Sequence, residues 1–185
     1  MSQESTEKQR YYEPAPQDID VENFRKVIES RRSVRKFTDK AIPAEVLNAC
    51  LDLALLAPNS SNLQPWTFYV VQNTAKKKVL VKACLSQLAA KTAAELIVCV
   101  ARTDRVDEMA KRNLSEFPYP EVPEIVQKYY KYIPYNYKTG YFNVLGNFKK
   151  VAFGLARSFN KQLPVTAFNP ADARLWASKT TALAC

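Results

Sequence analysis

The chain has 185 residues, 47% hydrophobic and 24% charged, which is the composition of one globular domain rather than a disordered segment. It contains no histidine, which removes histidine triads, histidine acid–base chemistry and most zinc sites. A net charge of +9 admits nucleic acid, a membrane surface or a small anion as partner, and the distribution of the cations decides between them.

Residues 1–19 are polar, carry Pro14 and Pro16, and read as an arm ahead of a single domain over 20–185. Asp20 predicts the N-cap of a helix with Val21, Phe24, Val27 and Ile28 on one face, ending near Ser30. Ile42-Pro43 opens a second helix with the stripe Val46, Leu47, Cys50, Leu53 and Ala54, and Pro58 ends it. Trp66–Val71 reads as a central strand, Thr74–Leu88 as a helix, and the apolar run Leu96–Ala101 as a buried strand. A helix is expected over Arg105–Leu114.

The prolines of Phe117–Pro123 and the tyrosines at 129, 130, 132, 135 and 137 then predict a loop-and-helix excursion. A substrate lid, core packing and a partner contact are all open uses for it. Helices over Phe142–Phe159 and from Pro170 complete the chain. The last stops at Cys185 with no Gly or Asn cap and no basic last turn. With only two strands in view, the expectation is a chain cut before its fold is complete.

No apolar run approaches the roughly 20 residues of a membrane-spanning helix, and Met1–Arg10 lacks the apolar core of a signal peptide. A cytoplasmic protein with no membrane partner is expected. Cys50, Cys84, Cys99 and Cys185 form no CxxC pair and read as buried free thiols, with no metal site. Glycine occurs only at Gly140, Gly146 and Gly154, so neither GxGxxG nor a P-loop can be built. Any phosphate must be gripped largely by side chains.

Two segments carry chemistry. Between Arg25 and Lys36 stand six cations and one anion, a single compact cluster that suits a small anion better than a nucleic acid. Within it, an extended backbone over Ser33–Arg35 would let the Ser33 hydroxyl and the Arg31 and Arg35 guanidiniums converge on one phosphate. A solvated basic turn after a helix is the plainer alternative. The second segment, Ala57-Pro-Asn-Ser-Ser-Asn-Leu-Gln-Pro-Trp66, sets five short polar side chains between two prolines. Such a loop suits the polar edge of a heterocycle or a ribityl chain, or simply satisfies its own backbone.

Taken together, a helix, Arg31-Arg-Ser-Val-Arg35, a helix ending in Ala57-Pro58, and Asn59–Trp66 entering a strand closely resemble the start of the nitroreductase family of flavoproteins. The resemblance is strong from Phe24 to Val71, weaker through Ala101, and returns from Asp172 as the family's central helix. It implies an α+β fold, a mixed sheet flanked by helices, in an intertwined homodimer with FMN between the subunits. It further implies that Arg31, Arg32, Ser33 and Arg35 bind the flavin phosphate and ribityl end. Pro58, Asn59, Ser60 and Asn62 would then approach the same flavin from the other subunit. Gln87 falls near a flavin-contacting position, although the local match is poor.

The implied activity is hydride transfer from NADH or NADPH through flavin to a small nitroaromatic or quinone-type acceptor. The redox chemistry resides in the cofactor, so no catalytic side chain is expected. Relatives on this scaffold suggest reductive dehalogenation or flavin breakdown as alternatives, and a non-catalytic basic binding module is the reading outside enzymes. The family's segment beyond the central helix, with further flavin and phosphate contacts, has no counterpart before Cys185.

Overall fold

The computed structural model describes residues 18–159 and 167–185, so the expected arm lies outside the described residues except for Asp18 and Ile19. The chain divides into two units, one running to Arg35 and one from Lys36 to Cys185.

In the first unit, α1 (Val21–Ser30) begins where Asp20 predicts, its carboxylate accepting from Asn23 N at 2.9 Å. Arg25 and Glu29 pair across one turn at 2.7 Å. At the other end Arg32 closes the helix, its Nη1 donating to Glu29 O at 2.8 Å and Arg31 O at 2.9 Å. These are helix-end carbonyls without intrahelical partners, and a guanidinium also suits the negative end of the helix dipole.

The second unit begins with α2 (Ala44–Leu55), followed by a 3-10 turn at Ser60–Asn62 and β1 (Trp66–Val70). Next come α3 (Thr74–Ala83), α4 (Leu88–Thr92) and β2 (Ile97–Ala101). Then follow α5 (Val106–Ser115), α6 (Glu124–Tyr137), α7 (Val144–Ser158) and α8 (Pro170–Ala182). Among the described residues the sheet is the antiparallel pair β1–β2, with Trp66 opposite Ala101 and Val70 opposite Ile97. Neither strand is central, and Ile97 and Tyr69 are exposed where a buried run was expected.

The core of this unit forms where the sequence is least regular. Leu63, Val106, Met109, Ala110 and Ile133 are buried together, with Tyr130, Tyr137 and Trp176 packed against them. The tyrosine-rich excursion therefore supplies core packing through α6. That helix passes through Pro134, in its last turn, and ends three residues later, so the missing N–H removes only one bond from its ladder. On the sheet side, α8 presents the small residues Ala173, Ala177, Thr180 and Thr181, all buried. Thr181 Oγ1 donates to Pro65 O at 3.0 Å, and Arg102 N donates to the same carbonyl at 2.8 Å. A capping box fixes the start of α8: Asp172 N donates to Asn169 Oδ1 at 3.0 Å, and Asn169 N to Asp172 Oδ2 at 3.2 Å.

Three expectations are corrected. The helix foreseen over Thr74–Leu88 ends at Ala83, because Leu85 and Ser86 turn left-handed with φ of 55° each and Ser86 N bonds back to Val81 O at 2.9 Å. That is a Schellman-type ending built without glycine. The four cysteines are free but exposed, not buried. The predicted apolar stripe of α2 is also not buried, Val46 and Leu53 being 49% and 68% exposed.

Two tight features place α7. Lys149 is only 9% exposed, and its ammonium donates to Asn136 O, Lys138 O and Ala167 O at 3.2, 2.6 and 3.2 Å. Burial pulls its pKa below the ordinary lysine value. Gly146 lies so close to its neighbours that a Cβ there would stand 2.1 Å from Phe168 O and 2.2 Å from Asn143 Oδ1. No described helix is long and apolar enough to cross a membrane.

Candidate functional site

The basic segment follows α1 directly. Arg31, Arg32, Ser33 and Arg35 are all exposed, and Arg31 has extended backbone dihedrals as it leaves the helix. The Arg31 Nη1 group donates to Ser33 Oγ at 3.5 Å, which brings one of the two expected guanidiniums to the hydroxyl. Arg32 has a different position, turned back onto the carbonyls that end α1. A guanidinium beside a hydroxyl is a donor set that phosphate oxygens accept, so Arg31 and Ser33 fit the phosphate of a flavin nucleotide.

The polar loop is built quite differently. Ser61, Asn62 and Gln64 have φ of 60°, 48° and 41°, a left-handed conformation that ordinary residues adopt only when their surroundings hold them there. Asn59 closes the loop on itself, its Oδ1 accepting from Gln64 N at 2.8 Å and its Nδ2 donating to Ala57 O at 3.3 Å. Leu63, 1% exposed, drives the loop into the core between α5 and α6. From those helices Asn113 Nδ2 donates to Ser61 O at 3.1 Å and Asn62 O at 2.9 Å, and Asn62 Nδ2 donates to Asn113 Oδ1 at 3.1 Å. Tyr130 OH donates to Ser61 O at 3.1 Å, and the Tyr129 and Ser61 hydroxyls are hydrogen-bonded to one another. Burial raises the Tyr130 phenol above its ordinary pKa.

Pro58 and Ser60 are exposed at the rim of this loop and Asn59 is half-buried within it. Gln87 is not part of it: it is the exposed N-cap residue of α4, its backbone N–H donating to Cys84 O at 3.2 Å. Sequence reasoning missed Asn113, whose signal was weak, a poor helix former in the last turn of an amphipathic helix. It left Tyr129 and Tyr130 open between a lid, core packing and a partner contact, and did not join them to the loop. Beside the loop, Lys111, Lys131, Tyr130 and Tyr135 line an open cleft of about 770 Å³ between α5 and α6.

The sequence model of the Nitroreductase family matches residues 28–185. A candidate NADH dehydrogenase/NAD(P)H nitroreductase of Archaeoglobus fulgidus is 33% identical over 100 residues, 54% of this chain and 52% of that protein. The chain thus spans about half the length of the curated relatives it matches. Among solved structures, a candidate nitroreductase of Bacillus subtilis superposes with a TM-score of 0.62 at 17% identity, over 89% of this chain and 67% of that one. Another, from Exiguobacterium sibiricum and solved in complex with FMN, gives 0.53 at 19% identity, over 87% and 68%. On the extent of the family match, the chain belongs to the nitroreductase family.

Proposed function

We propose that the chain is the FMN-binding portion of an NAD(P)H-dependent oxidoreductase that reduces nitroaromatic or quinone-type acceptors. The observation that carries this reading is the polar loop Asn59–Gln64, held left-handed at three non-glycine positions and anchored by Leu63. A plain connection from helix to strand would need neither the strain nor the anchoring.

Arg31, Ser33 and Arg35 take the flavin phosphate through charge-assisted bonds, and Arg32 shapes that segment by ending α1. Pro58, Asn59, Ser60 and Asn62 approach the flavin of a second subunit, in a homodimer. The exposed apolar residues of α2 and α7, among them Val46, Leu53, Phe148 and Leu155, support that assembly, since faces of this kind mark interaction surfaces. Bound FMN supplies the two-electron exchange between nicotinamide and acceptor. The chain's own residues bind it, orient it and set the charge around its phosphate.

Arg35→Ala and Arg31→Ala test the phosphate assignment. Each should weaken FMN by about tenfold or more, the scale of a lost charge-assisted contact, and leave riboflavin nearly unchanged. Equal losses for both ligands would refute it.

A further inference from the structure

We propose that Asn113 and Tyr130 are positioning residues that hold the cofactor loop in its binding geometry before any flavin arrives. The proposal rests on the flavin reading given above and adds to it two residues outside both sequence motifs.

The carbonyls of Ser61 and Asn62 stand at two consecutive left-handed positions, φ 60° and 48°. Such a backbone persists only if its displaced polar groups find partners. Asn113 supplies them from α5, giving both protons of its amide, one to Ser61 O at 3.1 Å and one to Asn62 O at 2.9 Å. Its amide oxygen accepts from Asn62 Nδ2 at 3.1 Å, so all the polar atoms of the Asn113 side chain serve one loop. Tyr130 adds the second bond to Ser61 O from α6 at 3.1 Å. Leu63, buried among Val106, Met109, Ala110 and Ile133, fixes the loop's depth, and the four hydrogen bonds fix its twist. A loop prepared in this way spends less conformational entropy when the ligand binds.

The test compares Asn113→Asp, Tyr130→Phe and the control Ile133→Val, in the full chain. Asn113→Asp keeps the shape but turns a carboxylate toward two carbonyls; Ile133→Val loosens the same core without touching the loop's bonds. FMN and riboflavin are titrated, and hydrogen exchange of amides 60–64 is followed without flavin. The proposal predicts that Asn113→Asp weakens both flavins equally, by about tenfold, with faster exchange confined to the loop. Tyr130→Phe should do the same to a smaller degree, and Ile133→Val, which trims only the packing around Leu63, should change both readouts far less than Asn113→Asp.

Flavin affinities in Asn113→Asp that match the wild type would overturn the proposal, as would an equal loss in Ile133→Val. If Asn113→Asp fails to fold, Tyr130→Phe decides on the same two readouts. A wild-type chain that binds neither flavin overturns the flavin reading and the positioning role with it; exchange at 60–64 that still responds to Asn113→Asp would identify that case.

Discussion

Individual side chains in this protein hold unusual environments for identifiable reasons, and each gives a prediction. Lys149 places its charge where only three carbonyls can solvate it, joining α6, α7 and Ala167. Lys149→Met takes the ammonium from Lys138 O and Ala167 O, while Asn136 O keeps its bond from Ala167 N at 2.7 Å, and urea denaturation should record a loss of about 2 kcal/mol. Cys99 is a second case: the residue is exposed, yet partial burial of its thiol, then the neighbouring Cys185 thiol, push it up to about 11. At pH 8 its alkylation should run about tenfold below that of an ordinary free thiol, the lost thiolate fraction being partly offset by the thiolate's greater nucleophilicity, as mass spectrometry of the labelled peptide would show. Asp104 shifts the other way, held at about 2 chiefly by its hydrogen bonds from Arg102 at 2.6 and 2.7 Å. Its folded value lies below its unfolded one, so its contribution is present above the ordinary carboxylate range and is lost as pH falls toward 2. Asp104 is exposed to solvent and Arg102 partly so, and that contribution is small. Arg102→Gln should return the carboxylate's NMR titration midpoint to the ordinary range.

At the scale of elements, helix starts were legible because they are written locally: Asp20 caps α1, and Pro43 immediately precedes α2. The end of α3 was not, since a left-handed Leu85 carries no glycine signal. Leu85 is 85% exposed and has no packing to lose, so Leu85→Gly should stabilise the chain by about 0.5–1 kcal/mol. The two glycines of α7 make a matched pair. Gly154→Ala meets open space and should stabilise by about 0.5–1 kcal/mol, whereas Gly146→Ala must displace Phe168 O and should cost about 1–3 kcal/mol. Thermal melts of the two variants should therefore move in opposite directions. The site was legible in part for the same physical reason. Polar residue types and their spacing single out the Asn59–Gln64 loop, but the tertiary partners that hold it, Asn113 and Tyr130, lie far along the chain and are joined to it only by folding.

For the whole molecule, the apolar faces of α2 and α7 call for covering, and light scattering should give twice the mass of one chain. The tyrosine-rich excursion, open to three uses on sequence alone, packs with Leu63 and bonds the Asn59–Gln64 loop, so core packing is among its uses. The central claim is that this chain holds FMN. Its most direct test is the visible absorbance spectrum of the purified protein, with any flavin released on denaturation identified beside it. Flavin bands and released FMN are predicted. A colourless protein that also fails to take up added FMN would contradict the account.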